Sequence, residues 1–320
     1  MKQKVFIGAL LIIIVVAISL MVKDFVDTKN TSKKNPYKYD LESLKKIDST
    51  KFCFKEIHQL ELEISEPKCI AVDNQSNIFV GGQDEISVFD KFGKFTYALK
   101  ASSAVNCMAI SSFDELYVGT KNSIQLWNHE RKLEKSWLIK ADNVLITSLA
   151  IKDSSIFVAD AGNGIVWHYN INGELLNRIG DKDTVQGIFG FVIPSSYFDL
   201  KIGRDGELWV VNPGRHSLEA YTDEGNLISS WTKSSMQIQG FCGCCNPSNI
   251  AILSNGSFVT SEKGIERVKV YKPSGEFDCV VAGPDSFEKG TKGIDLAVDS
   301  DDRIVVLDPL KKVVRIFVKL

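Results

Sequence analysis

Residues Gly240 to Ile252 read GFCGCCNPSNIAI, which puts Cys242, Cys244 and Cys245 within four positions. Crowded thiolates are soft ligands suited to zinc, copper(I) or an iron–sulfur centre. Outside the cytoplasm, close cysteines instead tend to oxidise. The chain has seven cysteines, so pairing them all internally would leave one thiol over. Cys279 and His216 complete the candidate metal set with Cys242, Cys244 and Cys245. The Cys-x-Cys-Cys spacing matches neither zinc knuckles, which use Cys-x₂-Cys pairs, nor ferredoxin-type clusters, which use longer runs. Three readings therefore stay open: a structural disulfide, a thiolate-bound metal or iron–sulfur cofactor, and a thiol redox couple. The disulfide reading joins Cys242 or Cys244 to Cys279, or adjacent Cys244 to Cys245. Cys69 and Cys107 fall in apolar segments and read as small buried side chains.

What positions these residues is a repeat. From Pro67 onward, a short apolar strand with an Ala-Val or Ala-Ile core is followed by a polar turn, a second strand, a loop, and a third strand with a Gly-containing turn. Six units run from PKCIAVDNQSNIFVGG to TKGIDLAVDSDDRIVVLD, the last ending one strand short. Aligned on Ala71, Ala109, Ala150, Asp199, Ala251 and Ala297, they are 38 to 52 residues apart, room for four antiparallel strands each. The segment FKEIHQLEL (Phe54 to Leu62) is strand-like and stands where the missing strand is needed. Pairing it with the last unit closes a ring and hides two sheet edges. The fold class predicted is all-β, a six-bladed β-propeller over residues 52–320, closed by its N-terminal strand.

The proline, Ala-Val-Asp and IFVAD elements, the turn NPGRHSLEAY and the GE turn before each outer strand resemble the NHL family of six-bladed propellers. The resemblance covers Pro67 to Leu320; unit two lacks the proline and the Gly turn. The segments around Asp199 and FCGCCNPSNIAILSNG look like a bacterial NHL-repeat group with a CGCCNP insertion. That resemblance implies a fold and no established reaction.

In such a blade, the connections between blades and the turns between second and third strands share one side of the disc, here the loop face. Cys242, Cys244 and Cys245, on the connection between blades four and five, belong there, with Cys279 at the end of an outer strand heading back to it. Cys69 and Cys107, at inner-strand starts, lie near it too, and Cys53 towards the other side. The connection between blades three and four, GDKDTVQGIFGFVIPSSY, is unusually apolar. Its favoured reading is a plug over the central channel. Its functional reading is a docking surface, for which Phe189, Phe191 and Ile193, with Arg215, are the partner-binding candidates. Arg215 and Arg267, at third-strand starts, are read as pairing with turn carboxylates such as Asp160 or Glu262.

Before the repeat lie two other segments. Residues 1–22 combine Lys2 and Lys4 with an uncharged run from Val5 to Val22, the length of a short membrane span. Ala17-Ile18-Ser19 is a passable cleavage site, but the run is longer than most signal-peptide apolar regions. The reading is an uncleaved signal anchor, single-pass, with the propeller on the extracytoplasmic, periplasmic side. Residues 23–51 are a polar, lysine-rich tether with a helical turn around Leu41 to Ile47.

The formal charge of −2 gives no pull towards nucleic acid. No Ser-His-Asp order, P-loop or dinucleotide fingerprint appears. The leading function is a non-enzymatic binding or scaffold module in an envelope complex, with a membrane protein as partner. The second is a redox or metal-binding, electron-transfer-associated protein using the cysteine cluster. The third is a metal-dependent hydrolase or lyase with ligands from inner strands, for which only Glu66 and Asn249 offer themselves.

Overall fold

The computed structural model describes residues 14–23, 41–182 and 190–320. The chain divides into two units, Met1–Leu41 and Glu42–Leu320. In the first, residues 14–23 are helical and exposed. The expected span from Val5 to Val22 thus falls partly outside the described residues. Among those described, no helix is long and apolar enough to cross a membrane. Most of the expected tether is also outside them, while its helical turn is present at Leu41–Lys45.

The second unit is six four-stranded antiparallel sheets. Strand β1 (Phe54–Glu61) stands apart from blade one, which is β2 (Cys69–Val72), β3 (Ile78–Gly81), β4 (Glu85–Phe89) and β5 (Phe95–Lys100). Blade two is β6 (Cys107–Ile110), β7 (Leu116–Gly119), β8 (Ser123–Trp127) and β9 (Leu133–Leu138). Blade three is β10 (Ile146–Lys152), β11 (Ser155–Asp160), β12 (Ile165–Asn170) and β13 (Leu175–Ile179). Blade four is β14 (Leu200–Ile202), β15 (Leu208–Asn212), β16 (Ser217–Tyr221) and β17 (Leu227–Thr232). Blade five is β18 (Asn249–Ile252), β19 (Phe258–Glu262), β20 (Arg267–Tyr271) and β21 (Phe277–Ala282). Blade six has β22 (Asp295–Val298), β23 (Ile304–Asp308) and β24 (Val313–Lys319), and β1 completes it. The first strand of each blade faces the axis and adjoins the first strands of its neighbours. The closure expected from Phe54 to Leu62 is present: β1 runs antiparallel to β24, Phe54 opposite Lys319 and Glu61 opposite Val313.

Local chemistry makes the hairpins. On the face away from the loop face, a side chain at the turn start accepts the amides two and four residues on. Asp90 takes those of Phe92 and Lys94, both at 2.9 Å, and Asn170 those of Asn172 and Glu174 at 2.9 and 3.0 Å. Gly93 and Gly173 then supply left-handed backbone at φ +82° and +83°. Unit two, which lacks that glycine, puts Arg131 there at φ +61°. The guanidinium of Arg131 donates to the carbonyl and carboxylate of Asp114, each at 2.6 Å, and lies over the Phe79 ring.

Between blades, β-branched and aliphatic side chains interleave. Val259, Val268, Leu296 and Val306 meet between blades five and six, and Ile70, Val80, Val305 and Leu307 between blades six and one. Each fully buried residue of this kind contributes about 1.5–3 kcal/mol. The ring is latched as well as paired. Cys53 forms a disulfide with Cys279 in β21, the Cys53 amide donates to the Val280 carbonyl at 3.3 Å, and the Leu320 amide donates to the Cys53 carbonyl at 2.9 Å.

This latch corrects one expectation. Cys53 does lie on the side away from the loop face, beside the start of β1. Cys279 lies there too, because it is the third residue of β21 and pairs with Val270 near the end of β20. It is therefore withdrawn from the loop-face cysteines and from the candidate metal set.

Candidate functional site

Strand register puts one residue from each blade at the same level of the axis. Cys69, Cys107, Ser148, Asp199, Asn249 and Asp295 all occupy the loop-face end of their inner strands, opposite Gly81, Gly119, Ala159, Val211, Ser261 and Leu307. Two residues further, Ala71, Ala109, Ala150, Lys201, Ala251 and Ala297 form a second ring. The residue matching the five alanines is thus Lys201, and Asp199 belongs with the cysteines. The alignment on Asp199 was two residues out of register.

The first ring is a hydrogen-bonded belt. Asp199 accepts from the Ser148 hydroxyl of blade three at 2.5 Å and from the Ile250 amide of blade five at 2.7 Å. Asp295 accepts from the Asn249 side-chain amide of blade five at 3.1 Å and from the Ile70 amide of blade one at 2.8 Å. These carboxylates stitch blades three to six and back to one. The Lys201 ammonium sits 3.1 Å from Asp199. In blades one and two the belt positions hold thiols: Cys69 and Cys107 lie over Gly81 and Gly119, where a Cβ would meet the sulfur at 2.7 and 2.4 Å. Burial pushes both thiols above their ordinary range, so both stay protonated and behave as packed side chains.

Burial also pushes the Asp295 carboxyl up to about 6, with the Asp199 charge adding to it and Lys201 opposing. A carboxyl raised on folding contributes stability that is complete below its unfolded value and is lost as pH rises through the folded one. The expected result is that the stability of the wild type relative to Asp295→Asn falls by about 2–3 kcal/mol between pH 4 and pH 7. Urea unfolding of both chains across that range checks it; a constant or rising difference contradicts it.

A cavity opens on the loop-face side of the belt, with a volume of about 330 Å³. Its wall includes Lys68, Asn106, Thr147, Tyr197, Asn249 and Lys292, with prolines and aliphatic side chains between them. Among the described residues, no carboxylate, imidazole or thiol lines it. The Asn249 Oδ1 atom is buried without a hydrogen-bond partner. A second cavity, about 250 Å³, lies on the far side, within the alanine ring and beside Lys201.

The cysteine cluster lies beside Tyr197 of the first cavity's wall. Cys244 is exposed, Cys245 is buried, and their sulfurs are 3.1 Å apart. Cys242 is buried elsewhere in the loop, with the Arg267 guanidinium 3.7 Å from its sulfur. Asn246 fastens the loop: its side-chain amide donates to the carbonyls of Cys242 and Lys263 at 2.6 and 2.9 Å, and its Oδ1 accepts from the Lys263 amide at 3.0 Å. His216 also bonds to this loop, through Nε2 and the Gly243 carbonyl. Beneath it, the Lys269 ammonium donates to the carbonyls of Ile238 and Gly240 and is 2.6 Å from Glu262, which also pairs with Arg267 at 2.7 Å. Burial, against the pull of Glu262, brings the Lys269 ammonium down to about 8.

Of the sequence-predicted site residues, the structure brings Cys242, Cys244, Cys245 and His216 to one loop region. Among the described residues, the sole three-membered group of potential metal ligands is Cys53, Asp278 and Cys279, two of which are spent in the disulfide. Phe189 lies outside the described residues. Phe191 is buried against Phe198 and Tyr221, and Ile193 packs half-buried against the same cluster, in the cleft between blades three and four. The two side chains fill that cleft and are not among the residues lining either axial cavity. Arg215 sits in the turn before β16, and Arg267 pairs with Glu262 as expected. Glu66 is exposed, whereas Asn249 is in the belt. The belt role of Asp199 and Asp295 was missed, and Asn249 was named from the sequence only as a metal-ligand candidate. Reading the residue two places before Ala71, Ala109, Ala150, Lys201, Ala251 and Ala297, which gives Cys, Cys, Ser, Asp, Asn, Asp, is the signal that finds them.

No family model and no curated protein matches the chain. Solved structures do match it. One is a streptogramin B lyase, 12% identical, covering 84% of this chain and 98% of that one with a TM-score of 0.60. Another is virginiamycin B lyase from Staphylococcus aureus, 14% identical, covering 83% and 100% with a TM-score of 0.58. A catalytically inactive histidine-to-alanine variant of the Staphylococcus aureus enzyme with quinupristin is 12% identical, covering 83% and 100% with a TM-score of 0.57. At these identities, what the chain shares with them is the six-bladed propeller fold.

Proposed function

We propose that the chain is a binding module, an NHL-like propeller held at a membrane by its N-terminal segment on the extracytoplasmic side, whose loop face receives a partner of the envelope. The observation that carries this reading is the loop-face cavity. It offers an unpartnered acceptor, Asn249 Oδ1, and two lysines, Lys68 and Lys292, among apolar walls, the few polar groups in an apolar setting that orient a ligand. The belt carboxylates Asp199 and Asp295 are committed to hydrogen bonds between blades. The Cys53–Cys279 disulfide fits an oxidising compartment.

A lyase reading follows from the structural neighbours alone. One of them loses activity when a histidine is removed. None of the four histidines here is among the residues lining either axial cavity, and His168 is bonded to Ser155 and Asn177 within blade three. Binding is therefore the better-supported function.

Ser196, exposed at the cavity wall, gives the test. Ser196→Trp fills the cavity and is expected to weaken retention of the partner from solubilised membranes at least about tenfold, with an unchanged thermal midpoint. Equal retention by both chains would remove the cavity from the account.

A further inference from the structure

We propose that Cys244 and Cys245 form a thiol–disulfide exchange site for dithiol reductants, with Cys244 the sulfur that meets the incoming thiol and Cys245 the sulfur that leaves. This goes beyond the binding function and does not depend on it. The two sulfurs are 3.1 Å apart, so closing a bond of about 2.05 Å needs a movement of about 1 Å. Their accessibilities differ as the roles require: Cys244 is exposed and Cys245 is buried.

The surroundings of Cys245 are built for a leaving thiolate. The Ser195 hydroxyl and the Lys263 ammonium lie beside its sulfur, and Lys263 donates to Ser195 at 3.0 Å. Burial alone would raise the Cys245 thiol; Ser195, Cys244 and Lys263 together bring it below its ordinary value. The hydrogen bond to Cys245 holds the Cys244 thiol above its own. A lower-pKa sulfur leaves faster in exchange. Lys263 is itself fixed, its backbone by Asn246 and its ammonium 4.4 Å over the Tyr197 ring.

In the reaction, one thiolate of the reductant attacks Cys244 Sγ. A mixed disulfide forms, the Cys244–Cys245 bond breaks, and its electron pair goes to Cys245 Sγ. The second thiolate of the reductant attacks its partner sulfur in the mixed disulfide and closes a ring, releasing the Cys244 thiolate, which takes a proton from water. The dithiol loses two electrons and two protons; the cysteine pair gains them.

Adjacent residues also make this disulfide reactive. Their Cα atoms are about 3.8 Å apart across a trans peptide, below the roughly 4.4–6.8 Å that unstrained disulfides span, and strained disulfides are the labile ones. Cys53 and Cys279, with Cα atoms 5.9 Å apart, lie within that range. The third loop thiol, Cys242, is not a participant, since it is buried beside Arg267.

The test uses the full chain in detergent, mildly oxidised and then reduced with dithiothreitol, with free thiols trapped and located by mass spectrometry. The pair is expected to open at dithiothreitol concentrations that leave Cys53–Cys279 closed. Lys263→Met and Ser195→Ala are each expected to slow opening about tenfold and to move the pH midpoint of Cys245 alkylation upward, while Cys242→Ser changes neither. Cys245→Ser, treated with oxidised glutathione, is expected to accumulate a glutathione adduct on Cys244 that the wild type resolves. A pair that never closes under oxidation overturns the proposal. So does opening at the same rate in the Lys263 and Ser195 variants.

Discussion

Replacing Glu262 with alanine is expected to cost about 3–5 kcal/mol, the usual consequence of leaving buried charges uncompensated. Glu262 is fully buried between Arg267 at 2.7 Å and Lys269 at 2.6 Å, both of them also buried. Taking away the carboxylate strands two cations. The loss is expected to be local first, because Lys269 holds the Ile238 and Gly240 carbonyls and so the base of the cysteine loop. Cys242, buried in the wild type, should then become open to alkylation at urea concentrations well below the unfolding midpoint. Replacing Glu262, Arg267 and Lys269 together with apolar residues should recover much of the stability, since buried ion pairs are often no better than packed hydrocarbon. Urea unfolding and thiol counting decide it; a loss under about 1 kcal/mol for Glu262→Ala would mean that the three residues are not a buried charge network.

The second large effect is expected from the latch. Cys53 and Cys279 are 226 residues apart in sequence, and the chain-entropy description assigns a cross-link over such a loop about 5 kcal/mol. The Cys53→Ser, Cys279→Ser chain should therefore unfold at markedly lower denaturant concentration. Because Cys53 directly precedes β1, the first strand to exchange its amide hydrogens in that variant should be β1, followed by β24. Hydrogen exchange of the two chains measures this. Unchanged protection of Phe54 to Glu61 would show that strand pairing alone keeps the ring shut.

Much of the architecture was legible because its signals are local. The period of the units, the turn glycines and the strand-like FKEIHQLEL segment are read from neighbouring residues, and the six sheets and the β1–β24 closure follow them. The cysteine partners were not legible. Which sulfur meets Cys279 depends on where along β21 it falls and on how the residues before β1 lie against blade five, and neither is encoded nearby. The belt was hidden by one substitution. Where five inner strands carry alanine, blade four carries Lys201, so matching by residue type pulled Asp199 two places out of register and away from its equivalents. The aromatic loop residue Phe191 misled for a different reason. An apolar loop reads the same whether it covers the channel, docks a partner or fills the gap between two blades, and only packing against Phe198 and Tyr221 distinguishes them.

The central claim is that the loop face, through its axial cavity, is where this propeller binds. A photo-reactive amino acid placed at Tyr197 in the cavity wall, and in a second chain at Phe113, an exposed turn on the opposite face, tests it in intact cells. The account predicts one dominant adduct from Tyr197, lost when Ser196→Trp is added, and none from Phe113. Adducts of equal yield from both positions, or from Phe113 alone, would contradict it.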